Sequence, residues 1–491
     1  MRTLLTLIGL AWLTLLSAEI SMPAVFSEGM VLQQGKPVKI WGWANSGEPV
    51  RVSFREQVHF VEAHDRRWEV SLEPMPAGGP DELVVEGYDR VVIGNVLVGE
   101  VWLASGQSNM VWTVEKTSHA EETLADADEP MIRIFKVKER ALDEPEDDVE
   151  GEWLVSTPEN MASVSAVAYL FAREIHSTQD VPVGILLSAR GGTRAVNWTS
   201  EEVLEKNPDA ENHWVNYRRR VAQYPKEWAQ WVEGGGVDKA PQSPTRRLPS
   251  GYFNGMVNGL IPYTLQGAIW YQGETDSWNA EEYVRMFPDL IVDWRTRWDQ
   301  GDFPFYYVQL ASYNGKPGVD INYPHIRDIQ LKSLEVLPNL GMAVAIDAGE
   351  ELDIHPADKR QVAHRLALLA RNRTYGESLV DTGPMMKVVN FAEGQAIVTF
   401  TNTDLGLQVK GETLNGFALA TGDGPFHPAM ARIEDDKVIV WSELVPDPDQ
   451  LRYAFRGFPE ANLYNGSGLP ASPFRTDKRP RGDDAVVTIP E

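Results

Sequence analysis

Residues 99–112 read GEVWLASGQSNMVW, and this stretch decides the fold class. It begins as an apolar strand that ends at Ala104, and residues 106–109 then lead into a helix. The same order of apolar strand, polar or glycine-containing loop and amphipathic helix recurs in VPVGILLSA (181–189), LQGAIWYQ (265–272) and LGMAVAID (340–347). Buried strands that alternate with helices predict a parallel α/β sheet. In such a sheet the ligand site lies beyond the carboxyl ends of the strands.

Short β-strands are predicted on both sides of this α/β region. Residues 19–95 contain alternations such as VKIWGWA and VRVSF, broken by turn formers, which predict an N-terminal β-sandwich. Residues 377–491 return to this pattern in KVVNF, AIVTFT and KVIVW and predict a C-terminal β-domain. The central domain then spans residues 96–376. Its Trp-rich, charged insertion at about 200–250 is expected near the mouth of the site.

The composition excludes several function classes. The chain has 491 residues, 45 Lys+Arg against 71 Asp+Glu, a formal net charge of −26 and no Cys. Nucleic acid is not expected as a partner, because Lys and Arg must neutralise its phosphates. Without Cys, the nucleophile has to be Ser, Thr, Lys or a carboxylate. There is no HExxH motif and the 9 His are scattered, so we expect neither a metal nor a cofactor.

Residues 1–18, MRTLLTLIGLAWLTLLSA, are predicted to form a secretory signal peptide. Arg2 provides the positive n-region, an apolar run from Leu4 to Leu16 follows, and two small residues end the segment. The run is shorter than the roughly 20 residues that span a bilayer. We therefore expect export to the periplasm or the exterior, with no membrane span.

Four loops after predicted strands carry reactive or polar residues. Ser108 lies at a strand-to-helix turn, where its hydroxyl is exposed and its backbone N–H is free for an oxyanion. Gly191 and Gly192 allow backbone N–H groups to approach a ligand closely. Gln272 and Glu274 follow a very apolar strand, where polar side chains are costly to bury unless they are used or satisfied.

The fourth loop holds Asp353 and His355, ahead of a helix that begins with Pro356. His is the side chain best suited to general-base work near neutral pH. Each loop alone also has an ordinary structural explanation, namely a helix cap, a tight turn, a local hydrogen-bond network or a structural His. Together they supply a nucleophile, a base, an orienter and oxyanion donors at one edge of one sheet, as acyl transfer by serine requires.

Four blocks follow one another along the chain: GQSNM (106–110), GGT (191–193) with Trp198, WYQGE (270–274) and DIHP (353–356). Two further stretches flank them, FSEGMVLQQGKPVKIWGWA (26–44) and NLYNGSGLPASPFRTD (462–477). Together they resemble the sialate O-acetylesterase family of SGNH hydrolases. The resemblance covers nearly the whole chain after residue 18. It implies a flavodoxin-like parallel-sheet hydrolase domain flanked by the two β-domains.

The resemblance also implies an activity, the removal of O-acetyl groups from carbohydrates through an acyl-enzyme on Ser108. His355 would be the general base. The backbone N–H groups of Ser108 and Gly192 and the side-chain amide of Gln272 would form the oxyanion hole. Each such donor contributes about 2.7–4 kcal/mol to the transition state, so Gln272→Ala is predicted to lower turnover strongly.

Two positions depart from the pattern of the resembling proteins. The SGNH class usually places its acid three residues before the His, whereas Asp353 stands two before His355. Asp353 is still the expected orienter, and because of this departure Asp347 is its rival. Arg194 follows residues 191–193, where a small residue or Pro is common. It forms either a structural ion pair or a contact to an acidic or hydroxylated substrate. The further expected substrate contacts are Asn109, Glu274 and Trp198.

The substrate and two other function classes stay open. Acetyl esters of sialic acid and acetylated plant-type polysaccharides both fit, and the negative net charge slightly favours a neutral glycan. One alternative is a non-catalytic carbohydrate-binding protein. The other is a glycosidase that uses Glu274 and Asp353 as paired carboxylates, whose activity would not depend on Ser108. The sequence does not determine the oligomeric state.

Overall fold

The computed structural model describes residues 20–315 and 322–480. The predicted signal peptide, residues 1–18, lies outside the described residues. The strands, numbered in chain order, are β1 (Val31–Gln33), β2 (Val38–Trp43), β3 (Pro49–Phe54), β4 (Gln57–Glu62), β5 (Arg67–Leu72), β6 (Gly78–Glu86), β7 (Arg90–Gly106), β8 (Glu129–Val137), β9 (Gly151–Ser156), β10 (Val183–Ala189), β11 (Gly267–Tyr271), β12 (Phe305–Gln309), β13 (Leu340–Val344), β14 (Met385–Ala392), β15 (Gln395–Thr401), β16 (Leu407–Val409), β17 (Phe417–Ala420), β18 (His427–Pro428), β19 (Met430–Glu434), β20 (Lys437–Trp441), β21 (Gln450–Tyr453), β22 (Leu463–Asn465) and β23 (Phe474–Arg475).

The α-helices are α1 (Ser108–Val111), α2 (Ala120–Ala125), α3 (Pro158–Ala162), α4 (Ala166–Gln179), α5 (Glu201–Leu204), α6 (Glu211–Glu233), α7 (Gly251–Met256), α8 (Ala280–Trp298), α9 (Tyr323–Ser333) and α10 (Arg360–Leu369). Short 3₁₀ turns lie at Val114–Lys116, Ala195–Trp198, Pro244–Arg247, Asn258–Leu260 and Asp276–Asn279, and a π-turn at Ala370–Thr374 follows α10. Within the described ranges, no helix combines the length and the apolar character needed to cross a membrane.

The central sheet has the strand order β13-β12-β11-β7-β10-β8-β9. Every neighbouring pair in it is parallel except β8 with β9, which confirms the predicted α/β class. The middle strands are buried on both faces, as the five buried residues of β11 show. The carboxyl ends of β7, β10 and β11 therefore meet at one edge, and the loops that carry residues 106–109, 191–193 and 272–274 leave from this edge.

Strand β7 connects the N-terminal β-structure with the central sheet. Its first part pairs with β6, and the middle part with β1 through Val31 opposite Leu97. Its last part, from Glu100 to Gly106, pairs with β10. The domain boundary predicted after residue 95 thus falls inside one continuous strand, because the same strand serves both sheets.

The C-terminal β-structure forms two four-stranded sheets, β14-β15-β20-β19 and β18-β17-β21-β23, and the pair β16-β22. Arg327 on α9 ties it to the central domain. This fully buried guanidinium donates to the backbone oxygens of Arg456 and Gly457 at 2.8 and 2.9 Å. The insertion at about 200–250 contains α5, α6 and the turn Pro244–Arg247, and residues of α6 and of this turn line a cleft together with Gly192.

Candidate active site

Ser108 is the first residue of α1, two residues after β7 ends at Gly106. The turn between them is tight. Gly106 has φ 134°, and a Cβ on it would come within 2.2 Å of the Tyr271 carbonyl oxygen on β11. The backbone N–H of Gln107 donates to that same oxygen at 2.9 Å. Only glycine fits between the two strands here, so the chain turns sharply and presents Ser108 at the sheet edge.

Gly191 and Gly192 lie beside Ser108. A Cβ on Gly191 would be 3.3 Å from the Ser108 Cβ, and Gly192 has φ 75°. The backbone N–H of Arg190 donates to the Gly106 oxygen at 3.0 Å, which joins this loop to the turn before Ser108. Among the described residues, the backbone N–H groups of Ser108 and Gly192 donate no hydrogen bond. Two N–H groups in adjacent loops are therefore available to a ligand.

His355 is positioned by Trp112, which follows α1. The two rings stack with centroids 4.9 Å apart and an interplanar angle of 15°. Burial lowers the pKa of His355, and the ammonium group of Lys359 lowers it further, while Asp353 partly offsets both. The neutral ring that a general base needs is thus favoured at neutral pH. In the described chain, no hydrogen bond joins the Ser108 hydroxyl to this ring, a contact that often tightens only with substrate.

The two candidate orienters of His355 have different surroundings. Asp353 accepts a hydrogen bond from the His355 backbone N–H at 2.9 Å, and its Oδ1 lies 3.8 Å from the Nδ1 of His355. Asp347 instead accepts from the Arg365 guanidinium at 2.6 and 2.9 Å and from the Tyr464 hydroxyl at 3.0 Å. Burial raises the pKa of Asp347, but the hydrogen bonds and charge of Arg365 outweigh this and hold it below its usual value.

Asn109, the residue after Ser108, is the centre of a buried chain of hydrogen bonds, here called the buried bridge. The side-chain amide of Asn109 donates to Glu274 Oε1 at 2.6 Å and to the Ile354 oxygen at 3.0 Å, while Lys359 Nζ donates to Asn109 Oδ1 at 2.5 Å. Burial raises the pKa of Glu274. Burial also lowers the pKa of Lys359 to about 8, although Glu274 opposes this. The bridge fixes α1 against the loop that carries His355.

Asn109 and Glu274, expected as substrate contacts, are therefore parts of this bridge. They are 2% and 4% exposed. Glu274 Oε1 accepts from the Asn109 amide, while Glu274 Oε2 is buried and has no hydrogen-bond partner among the described residues. Trp198 has no exposed surface, and its indole N–H donates to Thr193 Oγ1 at 2.9 Å. A side chain without exposed surface has no area for a ligand. In this structure Trp198 supports the 191–193 loop from below.

Gln272 also lies inside the protein, behind the same loop. Its amide N–H groups face the Asp276 carboxylate, the Thr193 oxygen at 3.1 Å and Gln107 Oε1 at 3.2 Å. Three acceptors share two hydrogens, so this amide links three loops of the site. Its Oε1 is buried and has no hydrogen-bond partner within residues 20–315 and 322–480.

Arg194 is half-buried at the start of a cleft beside Gly192. Its Nη1 lies 4.0 Å from Asp276 Oδ1, a weak ion pair at most. In residues 20–315 and 322–480, no group of three or more His, Cys, Asp or Glu is placed to hold a metal ion.

The structure thus brings Ser108, Gly192 and the His355 loop to one edge. Sequence reasoning missed Trp112 and Lys359, which reach His355 and Asn109 through tertiary packing. The helix predicted to begin at Pro356 begins at Arg360, so the spacing of Lys359 from His355 is not a helical one.

Comparison with known proteins places these residues in a family. The family model "Carbohydrate esterase, sialic acid-specific acetylesterase" matches residues 252–370. The sialate O-acetylesterase of Mus musculus is 32% identical to this chain, over 92% of this chain and 93% of the mouse protein. The chain belongs to the sialate O-acetylesterase family.

Further relatives of this sialate O-acetylesterase family member agree. The sialate O-acetylesterase of Homo sapiens is 32% identical over 76% of this chain and 74% of its own length. A solved carbohydrate acetylesterase from Xanthomonas citri is 36% identical, with a TM-score of 0.83, and the match covers 94% of this chain and all of that one. Membership makes the chain a carboxylic ester hydrolase of the carbohydrate-acetylesterase type. It favours the esterase prediction over the binding protein and the glycosidase.

Proposed function

We propose that this protein removes O-acetyl groups from carbohydrates through an acetyl-enzyme on Ser108. His355 accepts the Ser108 proton as the hydroxyl oxygen attacks the acetyl carbonyl carbon. The sugar oxygen leaves with that proton. His355 then takes a proton from water, the hydroxide oxygen attacks the acetyl-enzyme, and acetate is released as Ser108 regains its proton.

The observation that carries the proposal is the pair of free backbone N–H groups beside a serine hydroxyl. Ser108 and Gly192 offer these donors in adjacent loops, where they would stabilise the oxyanion of both tetrahedral intermediates. The tight turn at Gly106 fixes Ser108, and the buried bridge fixes the loop of His355.

Two further roles belong to the proposal. Asp353 orients His355 and stabilises its protonated form, since the oxygens of Asp347 are held by Arg365 and Tyr464. Gln272 is the third oxyanion donor, a role that requires one of its amide hydrogens to turn from its present acceptors toward the substrate. The amide also holds the loops of Ser108, Gly192 and Gln272 together.

The substrate proposed is an O-acetylated carbohydrate. The relatives are named sialate O-acetylesterases and, for the Xanthomonas structure, a carbohydrate acetylesterase, so acetylated sialic acids and acetylated polysaccharides are the first compounds to examine. Residues 1–18 are proposed as a signal peptide for export. Residues 19–95, 96–376 and 377–491 are proposed as the three domains that remain, the first two of which share strand β7.

The deciding experiment is acetate release by wild type and Ser108→Ala across acetylated sialic acids, xylan, xyloglucan and pectin. Ser177→Ala, an exposed serine on α4, is the matched control and should behave as wild type. We expect Ser108→Ala to lose activity on every substrate that wild type hydrolyses. Activity that persists in Ser108→Ala would exclude the acetyl-enzyme.

A further inference from the structure

A cleft opens beside Gly192. Its cavity volume is about 570 Å³. The walls come from α6, from the turn Pro244–Arg247 and from the segment that follows Gly192. The 200–250 insertion therefore builds most of the cleft. Because Gly192 belongs both to the cleft and to the oxyanion hole, a chain of sugars lying in the cleft would lead to Ser108.

The charge of this cleft is opposite to that of the protein. Among the described residues that line it are five arginines and no Asp or Glu: Arg194, Arg219, Arg220, Arg246 and Arg247. The whole chain has a formal net charge of −26. A concave surface with a single sign of charge concentrates its electric potential, so this cleft attracts anions that the rest of the surface repels.

Most of these arginines lack a neutralising partner. Arg220 is paired with Glu227 at 3.0 Å. Arg219, Arg246 and Arg247 are exposed and form no ion pair with any described residue. Arg194 Nη1 lies 4.0 Å from Asp276 Oδ1 and makes no hydrogen bond within the described part of the chain, so Arg194 is only partly neutralised. Unpaired guanidinium groups are planar donors suited to carboxylate or sulfate oxygens.

Other lining groups suit sugars. Trp278 stands at the cleft with 48% of its surface exposed, and a large exposed ring is a common contact for a ligand that has both apolar and polar faces. Asn212, Asn216 and Tyr217 add uncharged hydrogen-bonding groups that fit hydroxyls. The cleft thus combines recognition of negative charge with recognition of a polyhydroxylated chain.

We propose that this arginine cleft binds negatively charged sugar residues that adjoin the acetylated one, so that the preferred substrate is an acidic, acetylated oligosaccharide or polysaccharide. The proposal rests on the esterase function proposed above and adds the class of substrate. It overrides the expectation from net charge, because the local potential of the cleft decides binding.

Binding is measured first, with Ser108→Ala so that no acetyl ester is cleaved. The probes are an oligogalacturonate with carboxylates, a sulfated galactan oligosaccharide and a neutral cello-oligosaccharide, each titrated by calorimetry at low and high salt. We expect at least one acidic probe to bind about tenfold or more tightly than the neutral one, and its affinity to fall with added salt. The better of the two acidic probes identifies the anionic group.

The variants locate the binding. Arg246→Gln/Arg247→Gln and, on a different element, Arg219→Gln are expected to weaken acidic binding by about tenfold. Thermal unfolding checks that each variant is folded, and the two variants alter separate segments. Arg218→Gln is the matched control, because Arg218 is adjacent on α6, pairs with Glu211 at 2.7 Å and does not line the cleft. It should bind as the parent does.

Two results would overturn the arginine cleft. One is equal affinity for neutral and acidic probes, and the other is unchanged acidic binding in both folded cleft variants. Hydrolysis of p-nitrophenyl acetate by wild type and by Ser108→Ala tests the esterase separately. If Ser108-dependent hydrolysis is present without an acidic preference, the cleft proposal alone fails. If that hydrolysis is absent, the proposed function fails whatever the cleft binds.

Discussion

The indole of Trp112 lies flat against the imidazole of His355, with ring centroids 4.9 Å apart. This contact joins the short helix of the proposed nucleophile to the loop of the proposed base. The Lys359 ammonium lies 5.7 Å from the centroid of the same indole ring. Trp112 therefore contacts both the proposed base and the ammonium group that lowers the pKa of that base.

Trp112→Ala should lower kcat by about 10- to 100-fold, with little change in KM, because His355 would lose the surface that fixes its plane. Trp112→Phe, which keeps an aromatic face, should retain most of the activity. The measurement is steady-state hydrolysis of p-nitrophenyl acetate. Trp228→Ala, which removes an exposed indole on α6, is the control and should leave kcat unchanged. Wild-type kcat in Trp112→Ala would show that the stack has no catalytic role.

Asp353→Asn and Asp347→Asn should separate orientation from stability. Asp353→Asn is expected to reduce kcat by about tenfold or more, because the His tautomer and its protonated form lose support. Asp347→Asn should leave kcat near normal but destabilise folding by about 3 kcal/mol, since Arg365 would keep a largely buried charge without its partner. Kinetics and urea unfolding of both variants decide this. Normal kcat in both would favour a Ser–His pair without an acidic orienter.

The Asp347–Arg365 pair should also weaken in acid. The pKa of Asp347 is lower when folded than when unfolded, so the unfolded chain binds protons first as the pH falls. The contribution of this pair to stability is then complete at neutral pH and is lost below about pH 4, as the pH falls through the folded pKa. Urea unfolding of wild type and Asp347→Asn across pH 3–7 measures it. The stability difference between the two proteins should shrink at the acid end, and a constant difference would contradict this assignment.

The pH dependence of kcat/KM should report His355. Its pKa is lowered below the usual 6.5, so activity should rise through a pH below 6.5 and reach its plateau at neutral pH. Lys359→Met removes the nearby positive charge and should move this acid limb to higher pH. Lys116→Met, which removes a smaller contribution, should move it less. An acid limb that stays in place in Lys359→Met would mean that this charge does not act on His355.

Gln272→Ala should lower kcat by about 10²- to 10³-fold if the amide stabilises the oxyanion. The amide is also a buried link between three loops, so a loss of kcat in this variant could come from a loosened structure. A stability measurement is therefore needed beside the kinetics. Thermal unfolding of Gln272→Ala and of Thr193→Val, which removes the hydroxyl that holds Trp198, compares the structural cost of loosening the same loop. The oxyanion role is supported if both variants lose stability to a similar extent but only Gln272→Ala loses kcat. Near-normal kcat in Gln272→Ala would remove Gln272 from the site.

The fold class and the loops of the site could be read from local sequence. Apolar strands such as β11 and the blocks around Ser108 and His355 are contiguous, so pattern alone is enough to find them. The partners of buried polar groups could not be read in this way. Asn109 bonds to Lys359, which is 250 residues away, and Asp347 bonds to Tyr464 in the C-terminal β-structure. Such pairs depend on tertiary packing, which no single stretch encodes.

The continuity of β7 has a consequence for how this protein can be divided. A shortened protein that starts at residue 96 would keep Ser108 but would lose β1, β6 and the first residues of β7, and with them all pairing of β7 with the N-terminal strands. Apolar residues of β7 that the N-terminal strands now cover would become exposed to water on the strand that presents the nucleophile. The N-terminal β-structure thus covers part of the strand that leads to the nucleophile and is not a separable module. A domain attached only by a linker can be replaced by another domain. Replacing this one would also change the pairing of a strand of the catalytic sheet.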